Sequence, residues 1–185
     1  MTWYPPAPAA GPASLLLLPP DDWALEPKID GIRVLWIQRR PFTRQGTPLS
    51  PSKGAYRLSQ ILSQVKQTLD GEWLPACDEF VVFDLPDCPL DYDARRLVLV
   101  KVLLGAVNEM DVSRLEEATV QSLTTCVPHV RLVASYNANF PTVYAGLKRQ
   151  DAEGIVLKRR KSLYAKQKRS GVESRDWLKR RFAWD

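Results

Sequence analysis

The chain is 185 residues long, 45% hydrophobic and 25% charged, which suffices for one domain with a packed core and is a tight fit for two. Its formal charge is +5, and the excess is local: residues 151–185 hold 11 Lys and Arg against 5 Asp and Glu, a segment suited to a polyanion or to a solvated face. Three cysteines without C-x-x-C spacing (Cys77, Cys88, Cys126) argue against a disulfide framework or zinc site, and a single histidine, His129, excludes centres that need two imidazoles. Any catalysis must therefore come from lysine, arginine and carboxylates.

Residues 1–22 are rich in Pro and Ala and then apolar, the composition of an extended lead-in. The quartet Leu15–Leu18 is too short to span a bilayer and no basic residue precedes it, so neither a membrane helix nor a signal peptide is expected, and a reducing cytoplasmic setting fits. Folding is expected to begin near Trp23. Branched apolar residues predict a strand over Ile32–Ile37, with Lys28 at its entrance beside the Asp30-Gly31 turn. Leu58, Ile61, Leu62, Val65 and Leu69 share one helical face and predict a helix over Ala55–Leu69. A buried strand follows over Phe80–Leu85, ended by Pro86, and then helices over Asp91–Val107 and Val112–Leu123. Strands over Val130–Ser135 and Gly154–Lys158 flank a helix over Pro141–Arg149, and Trp177–Phe182 is the last strand. Without a regular βαβ rhythm, this order predicts an α+β fold of mainly antiparallel sheets flanked by helices.

Six short elements stand out: EPKIDGIR at 26–33, TRQG at 43–46, LDGEW at 69–73, FVVFDL at 80–85, EGIVLK at 153–158 and WLKRRF at 177–182. Singly, each is a turn, a core strand or a charged face. Together they follow the order and approximate spacing of the nucleotidyltransferase motifs of ATP-dependent polynucleotide ligases. The chain resembles the adenylyltransferase domain of a DNA ligase, which implies an ATP-grasp-like nucleotidyltransferase fold over residues 23–185.

The resemblance implies a role for each matching residue. Lys28 would attack the α-phosphate of ATP, release pyrophosphate and hold AMP as a phosphoramidate. An ordinary lysine, with a pKa of ~10.4, is almost wholly charged at neutral pH, so Lys179, Arg181 and a bound metal are expected to favour its neutral form. Glu26 would receive the adenine amino group, Phe83 would stack on the base, and Glu72 would contact the ribose and the metal. Glu153 would bind magnesium or manganese, and Lys179 and Arg181 would contact the nucleotide phosphates. Arg181 stands where many relatives have lysine, which keeps the charge and changes the geometry. Arg33 would touch the ribose and later the DNA, and Arg44 would grip a 5′-phosphate through its planar donors. The basic segment carrying Arg159, Arg160, Lys166 and Lys168 would bring DNA phosphates to the site.

The implied activity is sealing of nicked or broken DNA with a 5′-phosphate and 3′-hydroxyl, through lysyl-AMP and DNA-adenylate, in DNA repair. Ligases of this type continue into an OB-fold domain, and this sequence ends directly after RRFAWD. A minimal ligase or a shortened chain follows, with help expected from an accessory repair protein. Two other readings stay open: an RNA ligase or capping-type nucleotidyltransferase, which share the lysine chemistry, and a non-catalytic nucleic-acid-binding protein.

Overall fold

A computed structural model of the chain describes residues 6–8, 17–105, 129–164 and 174–182. The expected helix over Val112–Leu123 and the candidates Lys166 and Lys168 lie outside the described residues. Two sheets face one another. One has four strands: β1 (Pro6–Pro8), β9 (Ser174–Arg181), β8 (Gly154–Arg159) and β2 (Trp23–Lys28), in that order across the sheet. The other has five: β4 (Arg40–Thr43), β3 (Ile32–Ile37), β5 (Leu69–Leu74), β6 (Glu79–Asp84) and β7 (Val130–Leu132). All pairings are antiparallel except β1 with β9 and β6 with β7. The α+β expectation holds.

Among the described residues, three α-helices flank the sheets: α1 (Ala55–Ile61), α2 (Tyr92–Gly105) and α3 (Phe140–Arg149). Strand alternation sends Val34, Trp36, Leu69, Trp73, Phe80 and Val82 to one face of the five-stranded sheet. There they pack with Leu58 and Leu62 and with Leu99 and Leu103 of α2 in the largest core cluster. A second cluster joins Trp23, Leu25, Ile155 and Leu157 to Phe140 and Leu147 of α3. A small third one, Leu35, Tyr164 and Trp177, lies on the opposite face of β3 and closes the space between the sheets.

Several expected boundaries move. Lys28 ends β2 and does not stand at the entrance of β3; β2 escaped notice because Pro27 interrupts its pattern. Proline is tolerated there because β2 is an edge strand bonded only to β8 in its sheet. The helix expected to reach Leu69 stops at Ile61. Leu62, Val65 and Leu69 are still buried, but the Val65 carbonyl accepts the indole N–H of Trp36 at 3.0 Å, and Leu69 opens β5. The strand expected over Val130–Ser135 is regular only to Leu132.

Gly154 is fixed by close approach. A β-carbon built there would lie 2.0 Å from the Arg180 carbonyl oxygen on β9. Gly154→Ala is expected to cost about 1–3 kcal/mol, the usual penalty for forcing atoms into a packed contact, read as a lower urea midpoint with an unchanged slope.

Candidate active site

The site follows from strand register. Side chains two apart share a face, so β2 turns Glu26 and Lys28 the same way, β8 turns Val156 and Lys158, and β9 turns Trp177, Lys179 and Arg181. Antiparallel pairing aligns them in rows: Lys28 with Gly154 and Arg181, Glu26 with Val156 and Lys179, and Lys158 with Trp177. The facing sheet contributes Arg33 from β3, Asp70 and Glu72 from β5 and Phe83 from β6, with Arg33 directly opposite Glu72. Between the sheets lies a cleft of about 280 Å³ lined by Glu26, Lys28, Arg33, Glu72, Phe83 and Lys179, among others. Arg44 and Arg181 also line it. Arg44 is carried there by the turn after β4, where Gly46 N–H bonds the Thr43 carbonyl at 2.9 Å and Gly46 adopts φ 81°.

Lys28 and Glu153 form an ion pair, and the other Glu153 oxygen accepts Arg181 Nε at 2.7 Å. Arg181, expected to act directly on Lys28 as a neighbouring cation, instead shares its carboxylate. An amine bonds to phosphorus only when neutral, so a Lys28 held in this ion pair is not itself in an attacking form.

Arg33 is locked by a partner the motif reading passed over. Its Nε and Nη2 bind the two oxygens of the buried Asp70 at 3.0 and 2.6 Å, and Tyr164 Oη donates to Asp70 at 2.5 Å. Burial works against the guanidinium charge, but Asp70, Tyr164 and Glu72 together outweigh it and Arg33 is held above its ordinary pKa. Its planar group lies 5.6 Å from the Phe83 ring centre and 6.0 Å from that of Trp177. Asp70 has the parity of Glu72 in LDGEW, and that alternation was the available signal.

Glu26 is 2% exposed. Tyr92 Oη donates to one of its oxygens at 2.7 Å, with Arg96 3.6 Å away, and Lys158 Nζ sits 3.0 Å from the other. Beneath Phe83, Asp84 is gripped by Arg95 at 2.8 and 3.3 Å. Burial would raise the Asp84 carboxyl, but Lys158 and Arg95 hold it below the usual range. Lys158 closes EGIVLK, but that motif names no partner for it, and Tyr92 and Arg95 stand outside the six elements.

Glu72 is the unusual acid. Burial, reinforced by Asp70 and Glu153 and opposed by Arg33 and Lys28, pushes its pKa up to about 7, and its buried Oε2 has no hydrogen-bond partner among the described residues. Among the described residues no three His, Cys, Asp or Glu groups cluster as a metal cage. Glu72 and Glu153 still suit a magnesium ion, which is commonly held by one or two carboxylates with phosphates and water completing its shell. The raised pKa means that the folded state holds a proton the unfolded state has lost between about pH 4.3 and 7, so this group lowers stability as pH rises through that window. Glu72→Gln is expected to melt higher than the natural chain at pH 8 and to lose that advantage at pH 4.

Arg159 and Arg160 do not join the cleft. Arg159 has the opposite parity, pairs with Asp176 at 3.1 Å and lies over Trp23. Arg160 binds Asp93 at 3.0 Å.

No protein-family model matches the sequence, and no curated protein matches it on sequence. Solved structures do match. A Lig E DNA ligase aligns at TM-score 0.66 and 15% identity over 98% of this chain and 69% of its own. The ligase domain of M. tuberculosis LigD aligns at 0.64 and 22% over 97% and 59%. Chlorella virus DNA ligase-adenylate aligns at 0.61 and 17% over 98% and 67%. No described helix is long and apolar enough to cross a membrane. On this similarity, the chain has the fold of the nucleotidyltransferase domain of ATP-dependent DNA ligases.

Proposed function

We propose that this chain is the catalytic core of an ATP-dependent DNA ligase. One observation carries the reading: strand register gathers a lysine, two carboxylates and several cations around a cleft with aromatic residues in its wall. That is the set needed to bind a nucleoside triphosphate and move its α-phosphoryl group.

Lys28 first leaves Glu153 and gives up a proton to solvent. Its nitrogen then bonds to the α-phosphorus as the bond to the bridging oxygen breaks, and pyrophosphate departs with the electron pair. An oxygen of a 5′-phosphate gripped by Arg44 next bonds to the AMP phosphorus as the Lys28 N–P bond breaks and the amine recovers a proton. A 3′-hydroxyl oxygen then bonds to the 5′-phosphorus, its proton passing to solvent, as AMP leaves with the electron pair and the strand closes. Lys179 and Arg181 hold phosphate oxygens, Glu26 accepts the adenine amino group, Phe83 stacks on the base, and Arg33 is oriented toward the ribose and DNA by Asp70. Glu72 and Glu153 would hold magnesium or manganese, which supplies charge neutralisation on the phosphates when bound. The ionised form of Glu72 suits that task, so metal–nucleotide binding should weaken as pH falls below about 7. A place in DNA repair, with an accessory protein contributing DNA affinity, belongs to the same proposal.

Sealing assays decide it. Nicked DNA with a 5′-phosphate should be closed with ATP and magnesium and left open with GTP. Preferential closure of nicked RNA would favour an RNA ligase. A GMP adduct without sealing would favour capping chemistry, and DNA binding without either would leave a non-catalytic binding protein.

A further inference from the structure

Lys158 lines the cleft yet is 1% exposed. An ammonium has three N–H donors, and three protein oxygens surround this one: the Phe83 carbonyl at 2.8 Å, Glu26 Oε2 at 3.0 Å and Asp84 Oδ2 at 3.4 Å. Its charge also lies 4.3 Å from the Trp177 ring centre, 5.0 Å from Phe83 and 5.3 Å from Tyr92. With its donors directed at the protein, Lys158 is poorly placed to bind a phosphate. What it does is join the sheets: it stands on β8, holds Glu26 on β2 and grips the backbone of Phe83 on β6.

We propose that Lys158 is a positioning residue for nucleobase selection, fixing the Glu26 carboxylate against the Phe83 wall so that the cleft accepts a base with an exocyclic amino group and rejects one with a carbonyl there. This rests on the nucleotide-binding reading above. An ionised carboxylate only accepts hydrogen bonds, so it pairs with an amino group and repels a carbonyl oxygen. Lys158 supplies the countercharge to buried Glu26 and fixes one of its oxygens; Tyr92 fixes the other. Without the ammonium, that oxygen loses its fixed partner and the carboxylate is no longer held in place to accept from a base amino group.

The test is titration of the natural chain, Lys158→Met and Tyr92→Phe with the α,β-methylene analogues of ATP and GTP, which cannot transfer the nucleotide. Lys158→Met is expected to lose about tenfold in affinity for the ATP analogue, the scale of one charged hydrogen bond, while the GTP analogue changes little, so that selectivity collapses. Tyr92→Phe should show a smaller loss in the same direction. A structural role alone would weaken both nucleotides equally. Equal weakening, or unchanged selectivity in Tyr92→Phe should Lys158→Met fail to fold, overturns the proposal. A natural chain that binds neither analogue overturns it together with the nucleotide-binding reading. Selectivity loss in a protein that forms no AMP adduct would support Lys158 and refute only the transfer chemistry.

Discussion

Lys28→Arg is expected to fold like the natural chain and to form no AMP adduct, a loss of more than about 10³-fold, the scale seen when a nucleophile is removed. Arginine keeps a cation beside Glu153, so the ion pair that closes the row Lys28, Gly154 and Arg181 survives in kind. What disappears is a nitrogen able to lose its proton, because a guanidinium stays charged. The comparison therefore separates nucleophilicity from charge, which Lys28→Ala cannot do. Matching thermal melts with no adduct is the expected pair of results. An adduct on Lys28→Arg would place the nucleophile elsewhere.

Arg95→Ala is expected to carry the largest stability cost. The Arg95 side chain is 1% exposed and Asp84 2%; the guanidinium grips both Asp84 oxygens and also donates to the carbonyls of Leu90 and Ser162, each at 2.8 Å. Removing one partner of a buried ion pair typically costs about 3–5 kcal/mol, a large share of a stability that is commonly about 5–15 kcal/mol. The consequence reaches the cleft, since Asp84 lies beside Phe83 and accepts from Lys158. A fall in urea midpoint should be accompanied by weaker nucleotide binding even where the protein remains folded. Because the Asp84 pKa is depressed in the folded state, its stabilising contribution is present above the ordinary aspartate pKa and is lost as pH falls through the lower folded value. Arg95→Ala should therefore narrow its stability gap to the natural chain in acid.

Alternation explains why so much of the site was legible. Glu26 and Lys28, then Lys179 and Arg181, sit two residues apart, and the strands that carry them turn each pair to one face; recognising the motifs was equivalent to recognising that face. Arg44 was legible because a glycine turn follows it. The supports were hidden for a different reason. Lys158 meets Glu26 when β2 and β8 pair, and it meets Asp84, as Tyr164 meets Asp70, only after the two sheets have packed; local pattern carries no record of such pairings. The Ala55–Leu69 expectation failed because helical spacing and burial agree at Leu62, Val65 and Leu69 even though the backbone turns and enters a strand. Arg159 and Arg160 shared the charge of the basic segment, but parity and Asp93 direct them away from the cleft.

The most direct test is the intact mass of the natural chain after incubation with ATP and magnesium, followed by peptide mapping of any adduct. The expected result is a gain of one AMP residue, mapped to Lys28 and discharged by added pyrophosphate. An unmodified mass under conditions where the protein binds ATP, or an adduct mapped to another residue, would contradict it.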